Sequence, residues 1–109
     1  MNLGLRVLVA LVVSGAVCSG QEAVEFSRDV RPILSDNCFK CHGPDAAARE
    51  AELRLDTREG LSADREGGPV VVPGEPDASE LYLRVAGEDP DSRMPPADSG
   101  KSLTEDEIQ

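Results

Sequence analysis

Two cysteines and the only histidine of the chain lie within five consecutive residues, and this segment constrains the chain more than any other. Cys38 and Cys41 are separated by two residues, and His42 follows at once. This spacing is typical of covalent c-type haem attachment, because each thiol can add to one haem vinyl group as a thioether. The neutral imidazole of the next residue can then bind the iron. We therefore predict that Cys38 and Cys41 anchor one haem and that His42 is its proximal ligand.

Three other interpretations of the cysteine pair have less support in the sequence. A zinc site needs about four protein ligands, whereas the chain has three cysteines and one histidine, and Cys18 lies in a segment that resembles an export signal. A thioredoxin-like redox pair is expected near a βαβ pattern, and the sequence shows no such pattern. A disulfide between Cys38 and Cys41 would close a very short loop and would constrain the unfolded chain little.

The composition fits a small domain that completes its apolar interior with a cofactor. The 109 residues suffice for one domain, yet only 3% are aromatic and tryptophan is absent. A core this poor in large side chains is marginal on its own. The formal net charge of −10 argues against binding to nucleic acid or to an anionic membrane surface. It either confers solubility or speeds docking to a basic patch on a redox partner.

Residues 1–20 have the features of an export signal. Arg6 supplies a positive charge, residues 7–13 are apolar, and small residues follow. The apolar stretch is short for a membrane span, but an uncleaved anchor and a lipid on Cys18 stay open as alternatives. We expect an exported protein of the periplasm or cell envelope, with its mature domain at residues 21–109.

Apolar periodicity and turn residues predict short helices separated by loops. A first helix is expected over residues 24–37 with Ser27 as a candidate N-cap. A short, solvated helix is expected at 46–52, an extended piece at 53–55 and a loop at 56–69.

Later segments carry stronger helix signals. A helix is expected at residues 77–86, begun by the capping box of Asp77 and Glu80 and ended at Gly87. The run 70–72 before it is predicted to be a strand fragment or an inward-facing loop.

The end of the sequence carries a second capping box. Thr104 and Glu107 have its spacing, and Leu103 and Ile108 are placed as a hydrophobic staple. The helix that they begin would be too short for stability at Gln109. We therefore expect the sequence to end inside its last helix, as a fragment of a longer protein.

Met94 is a candidate for the second iron ligand. It is the only methionine besides the initiator, and two prolines follow it. A thioether opposite the histidine would complete a His/Met site and raise the reduction potential, although a methionine can also simply fill a gap in a core. Arg58 and Arg93 are candidates for contacts with the haem propionates, and ordinary surface arginine is the simpler interpretation of both.

The sequence resembles the planctomycete-type cytochrome c domain over residues 24–108. The resemblance rests on VEFSRDVRPIL at 24–34, CFKCHGP at 38–44, LRLDTR at 53–58, VPG at 72–74, SEL at 79–81 and RMPP at 93–96. It implies an all-α cytochrome c-like fold wrapped around one covalently bound haem c. Cys38 and Cys41 match the thioether positions, His42 the proximal ligand and Met94 the distal one. It also implies an N-terminal module of a larger exported protein, and the C-terminal helix of the family is incomplete here.

Electron transfer is the leading functional hypothesis. The domain itself is not expected to be catalytic, because its single histidine is used as a ligand and no nucleophile–base pair is left. The alternative is a haem with an open sixth site that acts as a peroxidase or binds or senses a small ligand. The expected partners are a redox protein or downstream domains of the same polypeptide, which can themselves be enzymatic.

Overall fold

The computed structural model describes residues 23–109 and Gly15, so the predictions for the export signal and for Cys18 lie outside the described residues. Short helices dominate the described part, with one two-stranded antiparallel sheet. In chain order the elements are a π-helical turn Phe26–Val30, α1 Arg31–Asn37, α2 Phe39–His42, α3 Arg58–Leu61, β1 Asp64–Arg65, β2 Gly68–Pro69, a 3-10 turn Pro76–Ala78, α4 Glu80–Ala86, a 3-10 turn Ala97–Ser99 and α5 Glu105–Ile108. None of these described helices has the length and apolar character needed to cross a membrane.

The first predicted helix is present, but its beginning differs from the prediction. The π-helical turn precedes α1, and in it the Arg31 N–H donates to the carbonyl of Phe26. Pro32 follows in the first turn of α1, where its missing N–H costs least. Ser27 is not the N-cap. Instead, the carboxylate of Asp29 accepts a hydrogen bond of 2.9 Å from the backbone N–H of Glu25.

The predicted helix at 46–52 is wrong, because this segment forms turns. Ala51 and Glu52 have φ values of 55° and 53°, the left-handed conformation that a right-handed helix cannot continue through. The guanidinium of Arg65 donates to the carbonyl oxygens of both residues. The side chain of Arg65, which lies 13 and 14 positions further along the chain, therefore stabilises a backbone conformation that the local sequence does not favour.

The segment 56–69 is more ordered than a loop. The hydroxyl of Thr57 accepts a 3.0 Å hydrogen bond from the Gly60 N–H and so caps α3. The strands β1 and β2 follow, with Asp64 opposite Pro69 and Arg65 opposite Gly68. This hairpin departs from the expected all-α content.

The predicted helix at 77–86 is divided into the 3-10 turn Pro76–Ala78 and α4, so the capping box of Asp77 and Glu80 is wrong. The N-cap of α4 is Ser79, whose hydroxyl caps no helical N–H. It is 4% exposed, accepts a hydrogen bond of 2.8 Å from the Val72 N–H and donates one of 2.9 Å to the Glu75 carbonyl. Ser79 thus holds the preceding loop against the helix.

The small core contains Leu34, Leu55 and Val70. Val70 shows that the run 70–72 is an inward-facing loop, the second of the two predicted possibilities. The capping box of Thr104 and Glu107 is confirmed, with hydrogen bonds of 3.2 Å and 3.0 Å. The helix that it begins, α5, packs on α4.

Replacing Ser79 with alanine should lower the free energy of unfolding by about 1–3 kcal/mol, because buried backbone groups of the loop lose their partner. Urea unfolding of the haem-loaded protein measures this change. Ser62→Ala, at an exposed residue whose hydroxyl makes no hydrogen bond in the described part of the chain, is the control. Equal midpoints for the two variants would contradict the role given to Ser79.

Candidate cofactor site

The segment that carries both cysteines and the histidine lies at the junction of two helices. Cys38 separates α1 from α2: its N–H donates to the Leu34 carbonyl at 2.8 Å, and its own carbonyl accepts from the His42 N–H at 2.8 Å. Cys38, Cys41 and His42 therefore occupy positions i, i+3 and i+4 of one turn, which places their side chains on one face. The structure brings together the three residues of the predicted haem site, and their roles in binding a haem stay predictions.

The two thiols are accessible and form no disulfide within residues 23–109. Cys38 is half-buried and Cys41 is exposed. Burial, with a smaller contribution from the neighbouring Cys41, raises the pKa of the Cys38 thiol. A raised pKa disfavours the thiolate, whereas a thiol–disulfide catalyst requires a lowered one. The direction of this shift gives no support to a thioredoxin-like catalyst.

The imidazole of His42 is not engaged by the described part of the protein. Its Nδ1 atom is buried and has no hydrogen-bond partner there. A buried polar atom without a partner is costly in a role that is purely structural. An imidazole kept free of protein partners, next to two free thiols, fits a residue that binds the iron of a covalently attached haem. Within residues 23–109 no three His, Cys, Asp or Glu side chains gather as a zinc site would require.

The backbone after His42 is held by contacts that sequence reasoning missed. Arg49 donates to the carbonyl oxygen of Gly43 through Nε and Nη2, both at 3.2 Å. Its Nη2 also donates to the Pro44 carbonyl at 3.4 Å. Arg49 lies in the segment that was predicted to be a solvated helix, and no sequence pattern marks an arginine whose partners are backbone carbonyls.

Gly43 allows the chain to turn away from α2. A Cβ at this position would collide with the carbonyl oxygen of Phe39. Beyond the turn, the Glu50 N–H donates to the Cys41 carbonyl at 2.7 Å, and the Leu55 N–H donates to the His42 carbonyl at 2.8 Å. Cys41 and His42 are thus held by backbone hydrogen bonds from Glu50 and Leu55, in addition to the contact of Cys38 with α1.

Asp56 lies next to Leu55, whose N–H donates to the His42 carbonyl. It forms an ion pair with Arg54 in which the nitrogen–oxygen distance is 2.7 Å. The hydrogen bond from Arg54 lowers the pKa of the Asp56 carboxyl. A lowered folded-state pKa stabilises the fold above the unfolded-state value of about 3.9, and that stabilisation disappears as the pH falls through the folded-state pKa.

We therefore expect the acid-induced loss of stability to be smaller in Asp56→Asn than in the unmodified chain between pH 5 and pH 2, roughly the range over which a carboxyl of this kind titrates. Urea unfolding of the haem-loaded protein across this range measures the difference. Asp64→Asn is the control, since the Asp64 side chain makes no hydrogen bond among the described residues. Parallel pH profiles for Asp56→Asn and the unmodified chain would contradict the prediction.

Met94 lies in a separate segment that is tied to α4. It is half-buried, its N–H donates to the Arg84 carbonyl at 3.1 Å, and the following Pro95 is buried. The described structure therefore places the two cysteines and His42 on one turn and Met94 on another part of the chain. The part of Met94 as an iron ligand stays a prediction.

A series of backbone hydrogen bonds connects the two regions. It runs through pairs that join consecutive segments of the chain: Leu55 to His42 at 2.8 Å, Val71 to Leu61 at 3.1 Å, Leu81 to Val70 at 3.0 Å and Met94 to Arg84 at 3.1 Å. Each of these four hydrogen bonds attaches one segment between the motif and Met94 to a neighbouring part of the chain.

Arg58 and Arg93 are both exposed. Arg58 begins α3, and Arg93 precedes Met94; neither side chain forms a hydrogen bond or an ion pair within the described residues. Their contacts with haem propionates stay predictions.

One comparison with known proteins gives a match. A family model described as Planctomycete cytochrome C matches residues 38–98. The matched range covers more than half of the chain, begins at the first cysteine of the motif and includes Met94. No curated protein and no solved structure matches the chain.

Proposed function

Because the chain belongs to the planctomycete cytochrome C family, we propose that it transfers electrons through one covalently attached haem c. Membership in this family supports haem-based electron transfer in general. The observation that supports the specific proposal is the single turn on which two thiols lie beside a histidine whose buried Nδ1 has no partner among the described residues.

In this proposal Cys38 and Cys41 hold the haem covalently. Each thiol would add across one vinyl double bond, so that a C–S bond forms and the thiol hydrogen passes to the neighbouring carbon. Helices α1 and α2 set the spacing of the two sulfur atoms before attachment.

His42 and Met94 would both bind the iron. A bound haem c supplies a one-electron ferric–ferrous couple, and a thioether ligand raises its reduction potential. The contribution of the chain is to keep both ligands in place in both oxidation states. For His42 this is done by α2 and by the hydrogen bond from Leu55, and for Met94 by α4 and the buried Pro95.

The cellular setting is part of the same proposal. The features of residues 1–20 support export to the periplasm or cell envelope, which suits haem attachment outside the cytoplasmic membrane. The electrons would pass to a redox partner or to downstream domains of a larger polypeptide, of which this domain is the N-terminal module. The net charge of −10 supports a partner with a basic docking patch.

Loss of both thiols tests the attachment. We expect the unmodified chain, produced in a host that attaches haem c, to keep its haem through denaturation and acidic organic extraction. Cys38→Ala/Cys41→Ala should release all of it, and Cys18→Ala is the matched control that should retain it. The mass of the denatured polypeptide gives the result directly. Haem that is extracted from the unmodified chain would overturn covalent attachment.

A further inference from the structure

Arg84, near the end of α4, contacts the Met94 segment with both its main chain and its side chain. Its carbonyl oxygen accepts the N–H of Met94 at 3.1 Å. Its Nη1 donates to the carbonyl oxygen of Ser92 at 3.3 Å, and its Nε donates to the Glu80 carboxylate at 2.9 Å. Arg84 therefore binds the backbone at two positions, Ser92 and Met94 itself.

The segment between these two contacts is itself a closed turn. The N–H groups of Ser92 and Arg93 both donate to the Asp89 carbonyl, at 3.2 Å and 2.8 Å. The Asp89 carboxylate accepts the N–H of Asp91 at 2.9 Å. These hydrogen bonds close the turn, so its attachment to α4 helps to place Met94. Among the described residues, Arg84 is the side chain of α4 that forms a hydrogen bond with this turn.

The role of Glu80 is to orient the guanidinium. The ion pair is four residues apart on one helix, and its two side chains are 41% and 32% exposed. A pair this exposed contributes little stability by itself. The planar guanidinium, however, presents its N–H groups in a fixed fork. When Nε is fixed by Glu80, Nη1 is directed at Ser92.

We propose that Arg84 is a positioning residue that sets the Met94 thioether for the iron and restrains its release. This inference rests on the proposed function, because it assumes that Met94 is the sixth ligand. Arg84 is not itself a ligand of the iron. It acts by removing freedom from the segment that delivers the sulfur, so that less ordering is needed when the ligand binds.

The test compares the affinity of the ferric protein for imidazole, which competes with a methionine ligand for the sixth position. Arg84→Met keeps the apolar stem without the donors, and Arg84→Gln is too short to span from the helix to Ser92. Glu80→Gln is the matched control, because it removes the charge of the ion pair while the glutamine side-chain oxygen can still accept the Nε hydrogen bond and keep the guanidinium directed at Ser92. The near-infrared sulfur-to-iron band is recorded for each protein, and Met94 amide exchange is a second readout.

Loss of one charged donor should tighten imidazole binding about three- to tenfold in Arg84→Met and in Arg84→Gln. We expect faster amide exchange at Met94 in both variants and a near-native imidazole affinity in Glu80→Gln. Should Arg84→Met not fold, Arg84→Gln decides the question by the same comparison.

Two outcomes overturn the inference in distinguishable ways. If the unmodified holoprotein shows the near-infrared band and the Arg84 variants bind imidazole no more tightly than Glu80→Gln, the positioning role is wrong and Met94 ligation stands. If the unmodified holoprotein has covalent haem without the band, Met94 ligation fails, and the inference fails with it.

Discussion

Replacing His42 with alanine will abolish the six-coordinate spectrum of the haem-loaded protein. In the proposed site the thioethers of Cys38 and Cys41 would still hold the haem, but the iron would lose its only imidazole, since the chain has no second histidine. The effect should be complete rather than partial. Absorption spectra of the ferric and ferrous forms measure it, and added imidazole should restore a low-spin spectrum.

Lys40→Ala is the matched control for this experiment. Lys40 is an exposed residue of the same short helix and lies between the two cysteines. Its removal should leave the absorption bands unchanged, because no ligand is lost and α2 is a single turn in which alanine is well tolerated. A spectrum of His42→Ala identical to that of the unmodified chain would disprove the proximal assignment.

Replacing Met94 with alanine should eliminate the near-infrared sulfur-to-iron band and lower the reduction potential, because a thioether ligand favours the ferrous state. The vacated position should also bind carbon monoxide in the ferrous protein. Spectra and a redox titration of the same samples measure both effects. Ser92→Ala is the control, since it removes a neighbouring side chain and keeps the carbonyl that Arg84 binds.

The Met94 experiment also separates electron transfer from its alternative. If Met94→Ala leaves every ligand-field band unchanged, Met94 was never bound to the iron. The sixth position would then be open in the unmodified protein, and peroxide turnover or binding of a small gas would become the function to measure.

Features that depend on neighbours in sequence could be predicted, whereas features that depend on distant partners could not. The capping box of Thr104 and Glu107 formed because both partners lie within one turn. The same spacing at Asp77 and Glu80 failed, because Ser79 between them is bound to Val72 and Glu75 and begins the helix instead.

The segment 46–52 shows the same limit. Its alanine-rich composition favours a helix, but Arg65 holds Ala51 and Glu52 in the left-handed conformation. In the candidate site, the grouping of the two cysteines and the histidine could be predicted, because their spacing in the sequence places them on one turn. Arg49 and Arg84 were not, because they bind backbone carbonyls, which every residue has.

The junction at Cys38 has a consequence for the order in which the site is assembled. The hydrogen bonds that shape the attachment turn join residues four positions apart, from Leu34 to Cys38 and from Cys38 to His42. Loops this short close quickly and at small entropic cost. Met94, in contrast, lies 52 residues after His42 and depends on α4. The turn that carries the two thiols can therefore form from local contacts before Met94 is brought into place. In the function proposed above, covalent attachment of the haem would then precede the folding of the remaining segments and supply apolar surface for it.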